Sequence, residues 1–267
     1  MCATCGCGRD STAVITEPHV HEHEHEHDHP HHHEHDHPAT ETVILEQQVL
    51  AKNDQLAQRN RQWFADRDIL ALNLTSSPGA GKTTLLERTI RECPDLPIGV
   101  IEGDQETLLD ARRIESTGCP VVQLNTGAGC HLDAEMTRNA LEALNPPERG
   151  VVFIENVGNL VCPALFDLGE QAKVVIVSVT EGTDKPLKYP HMFAAAELVL
   201  INKIDLLPYV DFDLDQCVRY ARTTNPGVEL LALSATTGEG FGDWYEWLAD
   251  RRRSTLGRAI EVTTQQA

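Results

Sequence analysis

The chain has 267 residues, 41% of them hydrophobic and 24% charged, so it is long and apolar enough to bury the core of a sizeable domain. Its formal net charge of -19 argues against general nucleic-acid binding, because phosphate backbones are bound by basic surfaces. No apolar run approaches the roughly 18–20 residues of a membrane span, and the N-terminus lacks the apolar stretch of a secretory signal. These features predict a cytoplasmic protein that binds neither membranes nor nucleic acids.

The first 39 residues are rich in side chains that bind metals. Cys2, Cys5 and Cys7 stand in a CxxCxC pattern, in which thiolates can converge on one soft or borderline ion. The segment from His19 to His37 holds 11 of the 13 histidines, interleaved with Glu and Asp, and imidazole suits nickel, zinc and copper. We therefore expect residues 1–39 to be a disordered metal-binding tail, with a solvated spacer or an expression tag as the alternatives for the histidine run.

The remainder of the chain has the pattern of a helix followed by an α/β domain. Residues 40–68 have apolar side chains at helical spacing and predict a helix that packs on the domain behind it. Short apolar runs then alternate with segments long enough for crossover helices. The predicted strands are residues 69–75, 98–103, 121–125, 151–156, 173–180, 197–202 and 228–234. This alternation predicts, for residues 69–267, a doubly wound, mainly parallel sheet.

The loop after the first predicted strand has the composition of a phosphate-binding loop. Such a loop needs glycines for close backbone approach, a lysine for the β- and γ-phosphates, and a hydroxyl that can ligate Mg²⁺. Gly79, Gly81, Lys82 and Thr83 supply these parts, although Ser76 replaces the first glycine of the strict pattern. The predicted phosphate-binding residues are Gly79, Ala80, Gly81, Lys82, Thr83 and Thr84.

A second motif predicts that the base is guanine. Asn202, Lys203 and Asp205 form an NKxD motif directly after a late strand. A carboxylate at Asp205 can accept hydrogen bonds from both N1–H and N2–H₂ of guanine, a donor pair that adenine lacks. Ser234 and Ala235 follow the last strand, where a second base-recognition loop belongs. The combination predicts a GTP site.

Acidic residues close two of the predicted strands. Asp104 ends the second strand and Glu155 the fourth, and carboxylates at these ends face the ligand crevice of a parallel sheet. We expect Asp104 to bind Mg²⁺ together with Thr83, and the segment from Glu155 to Gly158 to sense the γ-phosphate; the alternative is a helix cap or an exposed acid. Lys82, Asp104 and Glu155 are the predicted catalytic residues. No glutamine is obviously placed to orient water, so turnover should be slow.

A further candidate metal site lies inside the domain. Cys130 and His131 adjoin one another at a loop-to-helix junction, and Cys162 follows the segment that begins at Glu155. Both segments are expected at the phosphate end of the sheet, so a metal there could respond to GTP. The alternative from the residues alone is two buried thiols beside a helix-capping histidine.

Taken together, these motifs resemble those of HypB, the family of hydrogenase nickel-incorporation GTPases. The resemblance covers essentially the whole chain: the CxxCGC start, the histidine stretch, SSPGAGKTT, ENVGNLVCP, TDKPLKYP and NKID. It implies a SIMIBI-class P-loop domain that forms a GTP-dependent homodimer. It also implies that nickel passes, with a HypA-like metallochaperone, to the [NiFe]-hydrogenase large-subunit precursor.

The resemblance also implies particular residue functions. Cys130, His131 and Cys162 look like the nickel or zinc site of the family's G domain at the dimer interface. Lys185, in TDKPLKYP, is expected to reach the nucleotide of the partner subunit. The implied activity is a GTP-hydrolysing nickel metallochaperone that uses GTP, Mg²⁺ and Ni²⁺, with Zn²⁺ as an alternative occupant of the G-domain site.

Two rival interpretations remain for the sequence, and a third fails. A urease-type nickel GTPase shares the histidine tail and G domain, but it has a Cys-Pro-His motif where this chain has Gly129-Cys130-His131. A nickel storage or detoxification protein would use its G domain for docking only, and GTP turnover would exclude it. A redox or zinc-ribbon protein would need a second CxxC knuckle, which the sequence does not contain.

Overall fold

The computed structural model describes residues 38–104, 109–127 and 129–265, with side chains described from 47 to 257 inside these ranges. Residues 1–37 of the predicted tail lie outside the described residues. Helix α1 runs over Pro38–Ala65, where residues 40–68 were predicted to be helical. The chain divides into Met1–Leu50 and a compact unit over Ala51–Ala267, and the second unit holds the sheet and all helices after α1.

The α/β unit alternates strands and helices along its length. The strands are β1 (Leu70–Ser76), β2 (Ile98–Asp104), β3 (Val121–Asn125), β4 (Val151–Glu155), β5 (Ala172–Ser178), β6 (Leu198–Asn202) and β7 (Glu229–Ala232). The helices after α1 are α2 (Lys82–Glu92), α3 (Leu109–Glu115), α4 (Ala134–Leu144), α5 (Lys185–Lys188), α6 (Pro190–Ala195), α7 (Leu214–Thr224) and α8 (Phe241–Gln265). Each predicted strand overlaps an observed one, and the ends differ by at most two residues.

The seven strands form one sheet in the order β3-β2-β4-β1-β5-β6-β7, and every neighbouring pair is parallel. From β1 the chain first builds the β2–β3 side of the sheet, then returns through β4 and builds the β5–β7 side. This change of direction beside β1 is a topological switch point, where doubly wound sheets bind ligands at the carboxyl ends of their strands. The predicted doubly wound parallel fold is confirmed.

Alternate residues of the strands contribute to cores on opposite faces of the sheet. On one face, Leu72 of β1 packs in a cluster with Leu85 of α2 and Trp244 of α8. On the other face, Ala71 belongs to a cluster that includes Phe64 of α1 and residues of α4. This period-two alternation lets one strand present neighbouring side chains to two separate layers. In the part of the chain that the structure describes, no helix has the length and apolarity to cross a membrane.

Two helices, α4 and α7, begin at aspartates that satisfy free backbone amides. Asp133 precedes α4 and accepts from Met136 N at 2.7 Å, and Asp213 precedes α7 and accepts from Gln216 N at 2.8 Å. Each aspartate therefore provides an N-cap. The cap at Asp133 sets the start of α4 directly after the Cys130–His131 loop.

Candidate nucleotide and metal site

A cavity of about 560 Å³ lies at the carboxyl ends of the central strands, beside the start of α2. It contains the lysine, hydroxyl and acidic side chains that the sequence predicted for a nucleotide site. Its lining residues are Pro78, Gly79, Gly81, Lys82, Thr83, Thr84, Glu102, Gly103, Asp104, Asp110, Arg113, Cys130, Glu155, Asn156, Val157, Gly158, Asn159 and Lys203.

The loop between β1 and α2 has the backbone that a phosphate cradle requires. Gly79 and Gly81 have φ values of +74° and +103°, a region that side chains with a Cβ rarely enter. A Cβ on Gly81 would also lie 2.5 Å from Asn202 Nδ2. Lys82 is buried and its Nζ donates to Ser76 Oγ at 2.9 Å. The serine that replaces the first motif glycine therefore holds the lysine at the loop.

The predicted base-recognition residues surround the same loop but do not themselves line the cavity, apart from Lys203. Asn202 is buried, and its Nδ2 donates to Ala80 O at 2.8 Å while its Oδ1 accepts from Ala235 N at 3.0 Å. Ser234 Oγ donates to Asp205 Oδ1 at 2.5 Å. Asn202 thus connects three loops, and the Ser234 bond orients the Asp205 carboxylate.

Two buried glutamates meet at the inner end of the cavity. Glu102 and Glu155 are 3% and 2% exposed, and Thr83 Oγ1 donates to Glu155 Oε1 at 2.8 Å. Burial, followed by the negative charge of Glu155, raises the pKa of Glu102 to about 11. Burial also raises the pKa of Glu155, although nearby Lys82 opposes that effect. The pair therefore holds a proton at neutral pH.

The acidic end of the cavity fits a hard divalent cation. The Oε2 atoms of Glu102 and Glu155 are buried and have no hydrogen-bond partner within the described ranges. Asp104, at the end of β2, lines the same space as Thr83. Carboxylate and hydroxyl oxygens are the ligands that Mg²⁺ prefers, and an unsatisfied buried oxygen is costly without a cation. Glu102 was not among the residues predicted for this site.

Cys130, His131 and Cys162 converge, as the motif analysis anticipated. One possible ligand atom from each lies within 4.8 Å of the other two. The two sulfurs are 3.0 Å apart, and Cys130 Sγ lies 3.7 Å from His131 Nδ1. Two thiols and one imidazole form a donor set for nickel or zinc, with positions left for a further ligand. The site is assembled from loops 32 positions apart in the chain.

The surroundings of His131 favour a neutral imidazole. Its ring stacks on Phe166, with centroids 3.9 Å apart and planes inclined at 27°. Burial lowers the pKa of His131, and the charge of Asp133 opposes the shift. A neutral ring can donate a lone pair to a metal, so burial keeps it competent as a ligand. The helix cap is Asp133, which removes the interpretation of His131 as a capping residue.

The candidate metal site opens onto the same cavity. Cys130 lines that cavity, and so does Asn159. Asn159 Nδ2 donates to Cys130 O at 3.1 Å, and its Oδ1 accepts from Val161 N at 2.8 Å. Asn159 therefore ties the Cys130 loop to the residue that precedes Cys162. A ligand that moves Asn159 would act on both halves of the cluster.

Lys185 lies against the phosphate-binding loop of its own chain. Its Nζ donates to Ser77 Oγ at 3.3 Å and pairs with Glu181 Oε2 at 3.2 Å. The predicted contact with a partner's nucleotide would require these contacts to be exchanged. Cys2, Cys5 and Cys7 lie outside the described residues.

Asp110 and Arg113 of α3 line the cavity and were not predicted from the sequence. Arg113 Nη2 donates to Glu87 Oε2 at 2.6 Å and to Thr84 Oγ1 at 3.1 Å, which connects α3 to the start of α2. Neither residue belongs to a contiguous motif. The only available signal was their position shortly after the acidic end of β2.

The loop at the switch point of an all-parallel sheet, with acidic strand ends beside it, defines a P-loop nucleotide-binding protein. Residues 70–232 match the family model described as CobW/HypB/UreG, nucleotide-binding domain. The chain is 58% identical over 209 residues to hydrogenase maturation factor HypB of Escherichia coli strain K12. The aligned region covers 78% of this chain and 72% of that relative.

Two solved structures share the fold closely. HypB from Helicobacter pylori in complex with nickel has a TM-score of 0.72 and 35% identity, covering 76% of this chain and 96% of that one. HypB from Archaeoglobus fulgidus has a TM-score of 0.71 and 37% identity, covering 76% of this chain and 99% of that one. The chain belongs to the CobW/HypB/UreG family, among the HypB hydrogenase maturation factors, as its motifs indicated.

Proposed function

We propose that the chain is a GTP-hydrolysing nickel metallochaperone, which stores nickel in its tail and delivers it to the [NiFe]-hydrogenase precursor. The observation that carries this proposal is the position of Cys130, which belongs to the metal cluster and lines the nucleotide cavity. The similarity to a HypB solved in complex with nickel supports the choice of metal. A metal so close to the phosphates can respond to the nucleotide that is bound.

Selection of GTP is assigned to the loops around Asn202. The Asp205 carboxylate accepts from Ser234 and keeps its second oxygen available for a guanine N–H. Lys203 reaches over the phosphate loop, where its Nζ donates to Gly79 O at 2.7 Å, so its stem can cover a base. These contacts support guanine as the base.

Hydrolysis is assigned to the acidic end of the cavity. Lys82 would release Ser76 and bind the β- and γ-phosphates, while Thr83, Asp104 and Glu155 would hold Mg²⁺. When bound, Mg²⁺ would neutralise charge on the transferred phosphoryl group. Slow intrinsic turnover is part of the proposal, because no glutamine is obviously placed in the sequence to orient water.

Nickel is the cargo, and Cys130, His131 and Cys162 are its proposed ligands, with zinc as an alternative. We assign the GTP-bound state to a homodimer in which Lys185 leaves Ser77 and reaches the partner's nucleotide. A HypA-like metallochaperone and the hydrogenase large-subunit precursor are the proposed partners. Cys2, Cys5, Cys7 and the histidine run are the proposed storage sites.

Nickel affinity of a chain beginning at Pro38, which keeps α1 whole, tests the proposal. The affinity is measured with GDP and with a non-hydrolysable GTP analogue, in wild type and in Cys130→Ala. We expect an affinity that differs between nucleotides in wild type and is lost in the variant. Equal affinity with both nucleotides would refute gated delivery. GTP turnover in the same preparation separates this function from a storage protein whose G domain only docks.

A further inference from the structure

The end of β4 presents two adjacent side chains to opposite faces of the sheet. Glu155 points towards α2, where it accepts from Thr83 Oγ1. Asn156 points to the other face, where its Nδ2 donates to Asn73 Oδ1 at 3.2 Å. Asn156 N also donates to Leu74 O at 2.9 Å, which continues the ladder between β4 and β1. Because one short backbone carries both side chains, a shift on the nucleotide side displaces Asn156 as well.

Asn156 reaches the first metal-binding loop directly. Its Oδ1 accepts from Leu132 N at 3.2 Å and from Val157 N at 3.0 Å. Leu132 follows His131, so this bond holds the backbone next to the imidazole ligand. Asn156 is 1% exposed, and the bond is therefore shielded from competing water.

A second branch leads from Asn156 to the Cys162 loop. Asn73 Nδ2 donates to Glu170 Oε1 at 3.1 Å, and Lys173 Nζ lies 3.7 Å from the same oxygen. Lys173 Nζ then donates to Pro163 O at 2.7 Å, beside Cys162. Asn73, Glu170 and Lys173 are all at most 9% exposed.

A buried polar network of this kind contributes less to stability than an apolar core of the same volume would. Burying an ion pair and two amides costs desolvation, and packed hydrophobic side chains of similar volume are often at least as stable. What a fully paired polar network provides is one defined geometry, because each donor has a specified acceptor. Here both ends of the network lie beside proposed metal ligands, and its middle lies at the nucleotide-side strand end.

We propose that Asn156, Asn73, Glu170 and Lys173 are positioning residues that set the Cys130–His131 loop and the Cys162 loop according to the nucleotide state of the β4 end. The inference rests on the proposed function, since it names the side chains through which nucleotide and nickel affinity are coupled. Asn156 lines the nucleotide cavity, and the inference assigns no ligand contact to the Asn73, Glu170 and Lys173 side chains. Their removal should therefore reduce the coupling more than either affinity.

The direction of the hydrogen bonds allows a test by polarity exchange. In wild type, Asn73 donates to one carboxylate oxygen of Glu170 and Leu168 N donates to the other. In Glu170→Gln one of these oxygens becomes an NH₂ group, so one of the two donors faces another donor. In Asn73→Asp two carboxylates face each other. In the double variant, Asp accepts from Asn156 and from the new Gln amide, and the Gln oxygen still accepts from Leu168 N. The single variants break the bond between positions 73 and 170, and the double variant restores it with unchanged net charge. The double variant does not restore the ion pair with Lys173, because the new Gln amide nitrogen replaces the oxygen that Lys173 Nζ faces.

The coupling is measured on the full-length chain as the factor by which Ni²⁺ changes the ratio of affinities for a GTP analogue and GDP. Cys130→Ser in the same chain supplies the baseline contributed by the tail. Allosteric factors of this kind are typically about 5-fold or more. We expect each single variant to fall within about 2-fold of the Cys130→Ser baseline, and the double variant to recover part of the coupling. The part of the sulfur-to-nickel absorption band that Cys130→Ser removes reports whether the cluster is loaded in each variant.

Thr89→Val is the matched control, because it removes a buried hydrogen bond to Trp244 Nε1 on the opposite face of the sheet. It should lower stability and leave the coupling at the wild-type value. If the single variants do not fold, Asn73→Ser supplies a broken network with a smaller perturbation.

The possible failures are distinguishable. A wild-type chain without coupling above the Cys130→Ser baseline would refute the proposed gated delivery itself. Coupling that persists in the single variants, while wild type is coupled, would overturn only the inference about the network.

Discussion

Buried polar groups are paired differently on the two faces of β4. The nucleotide side is the face towards α2 and the cavity, and the metal side is the face towards the loop of Cys130 and His131. On the nucleotide side, the Oε2 atoms of Glu102 and Glu155 are buried without a hydrogen-bond partner among the described residues. On the metal side, Asn73 and Asn156 are hydrogen-bonded through both the oxygen and the nitrogen of their amides. One side leaves acceptors for an incoming cation, and the other holds two loops in a defined position.

Under the proposed function, this difference would let one short strand serve two ligands. Unsatisfied carboxylates favour binding of a cation, because the ion removes a cost that the protein bears without it. Satisfied amides favour a fixed arrangement of the backbone near the thiols. Perturbing one side should therefore change catalysis or proton binding, whereas perturbing the other should change metal geometry.

The largest effect is expected from Lys82→Ala on the nucleotide side. Loss of the cation that faces the β- and γ-phosphates should lower GTP turnover by about 10²–10³-fold, the effect typical of removing one transition-state donor. Lys188→Ala is the control, because exposed Lys188 pairs only with Asp184 in the interactions described for it, at 2.8 Å. Phosphate release assays on both variants provide the measurement. Turnover near the wild-type rate in Lys82→Ala would contradict the assignment of the cavity.

On the metal side, Cys130→Ser should weaken nickel binding of the chain that begins at Pro38 by about 100-fold. Removing even an outer partner of a metal ligand costs about 10–100-fold, and a ligand itself should cost at least as much. Cys93→Ser is the matched control, since half-buried Cys93 lies outside the cluster. Chelator competition measures the affinities. Equal losses in both variants would show that the cluster is not the nickel site.

Glu102→Gln should change how stability depends on pH. The pKa of Glu102 is about 4.5 when exposed and about 11 when folded, so the folded state binds a proton that the unfolded state releases between these values. The contribution of Glu102 to the free energy of unfolding is therefore fully present below pH 4.5 and is lost as the pH rises towards 11. The slope contributed by this group is no more than about 1.4 kcal/mol per pH unit.

Denaturant unfolding of the nucleotide-free protein in EDTA, from pH 5 to pH 9, measures this slope. We expect Glu102→Gln to gain stability relative to wild type as pH increases, and to differ least at pH 5. Parallel profiles for the two proteins would show that Glu102 does not retain its proton.

The smallest effect is expected from Asn159→Ala, which acts between the two sides. The variant loses the bonds to Cys130 O and Val161 N while keeping every proposed ligand. A hydrogen bond of this kind contributes about 1 kcal/mol, so nickel affinity should fall about 5-fold. Nickel titration followed by the thiolate absorption band would measure it. A loss as large as that of Cys130→Ser would mean that Asn159 itself coordinates the metal.

The fold and the nucleotide loop could be predicted because their signals are contiguous. Apolar runs covered by helices on both faces identify the strands, and the phosphate loop needs its glycines and Lys82 within a few positions. The NKxD motif was similarly visible, but the position of Asn202 was not: its amide connects Ala80 and Ala235. That contact depends on where three distant loops meet.

The strand pattern, the phosphate-binding loop and the family can all be recognised in the residues alone, because each depends on residue types at fixed short spacing. The fold makes Glu102 and Glu155 neighbours, through the pairing of β2 with β4. It also decided that Cys130 and Cys162 meet beside the cavity. The polar side chain of Asn73, within an otherwise apolar strand, acquires its meaning only from the Asn156 and Glu170 side chains that the fold brings against it.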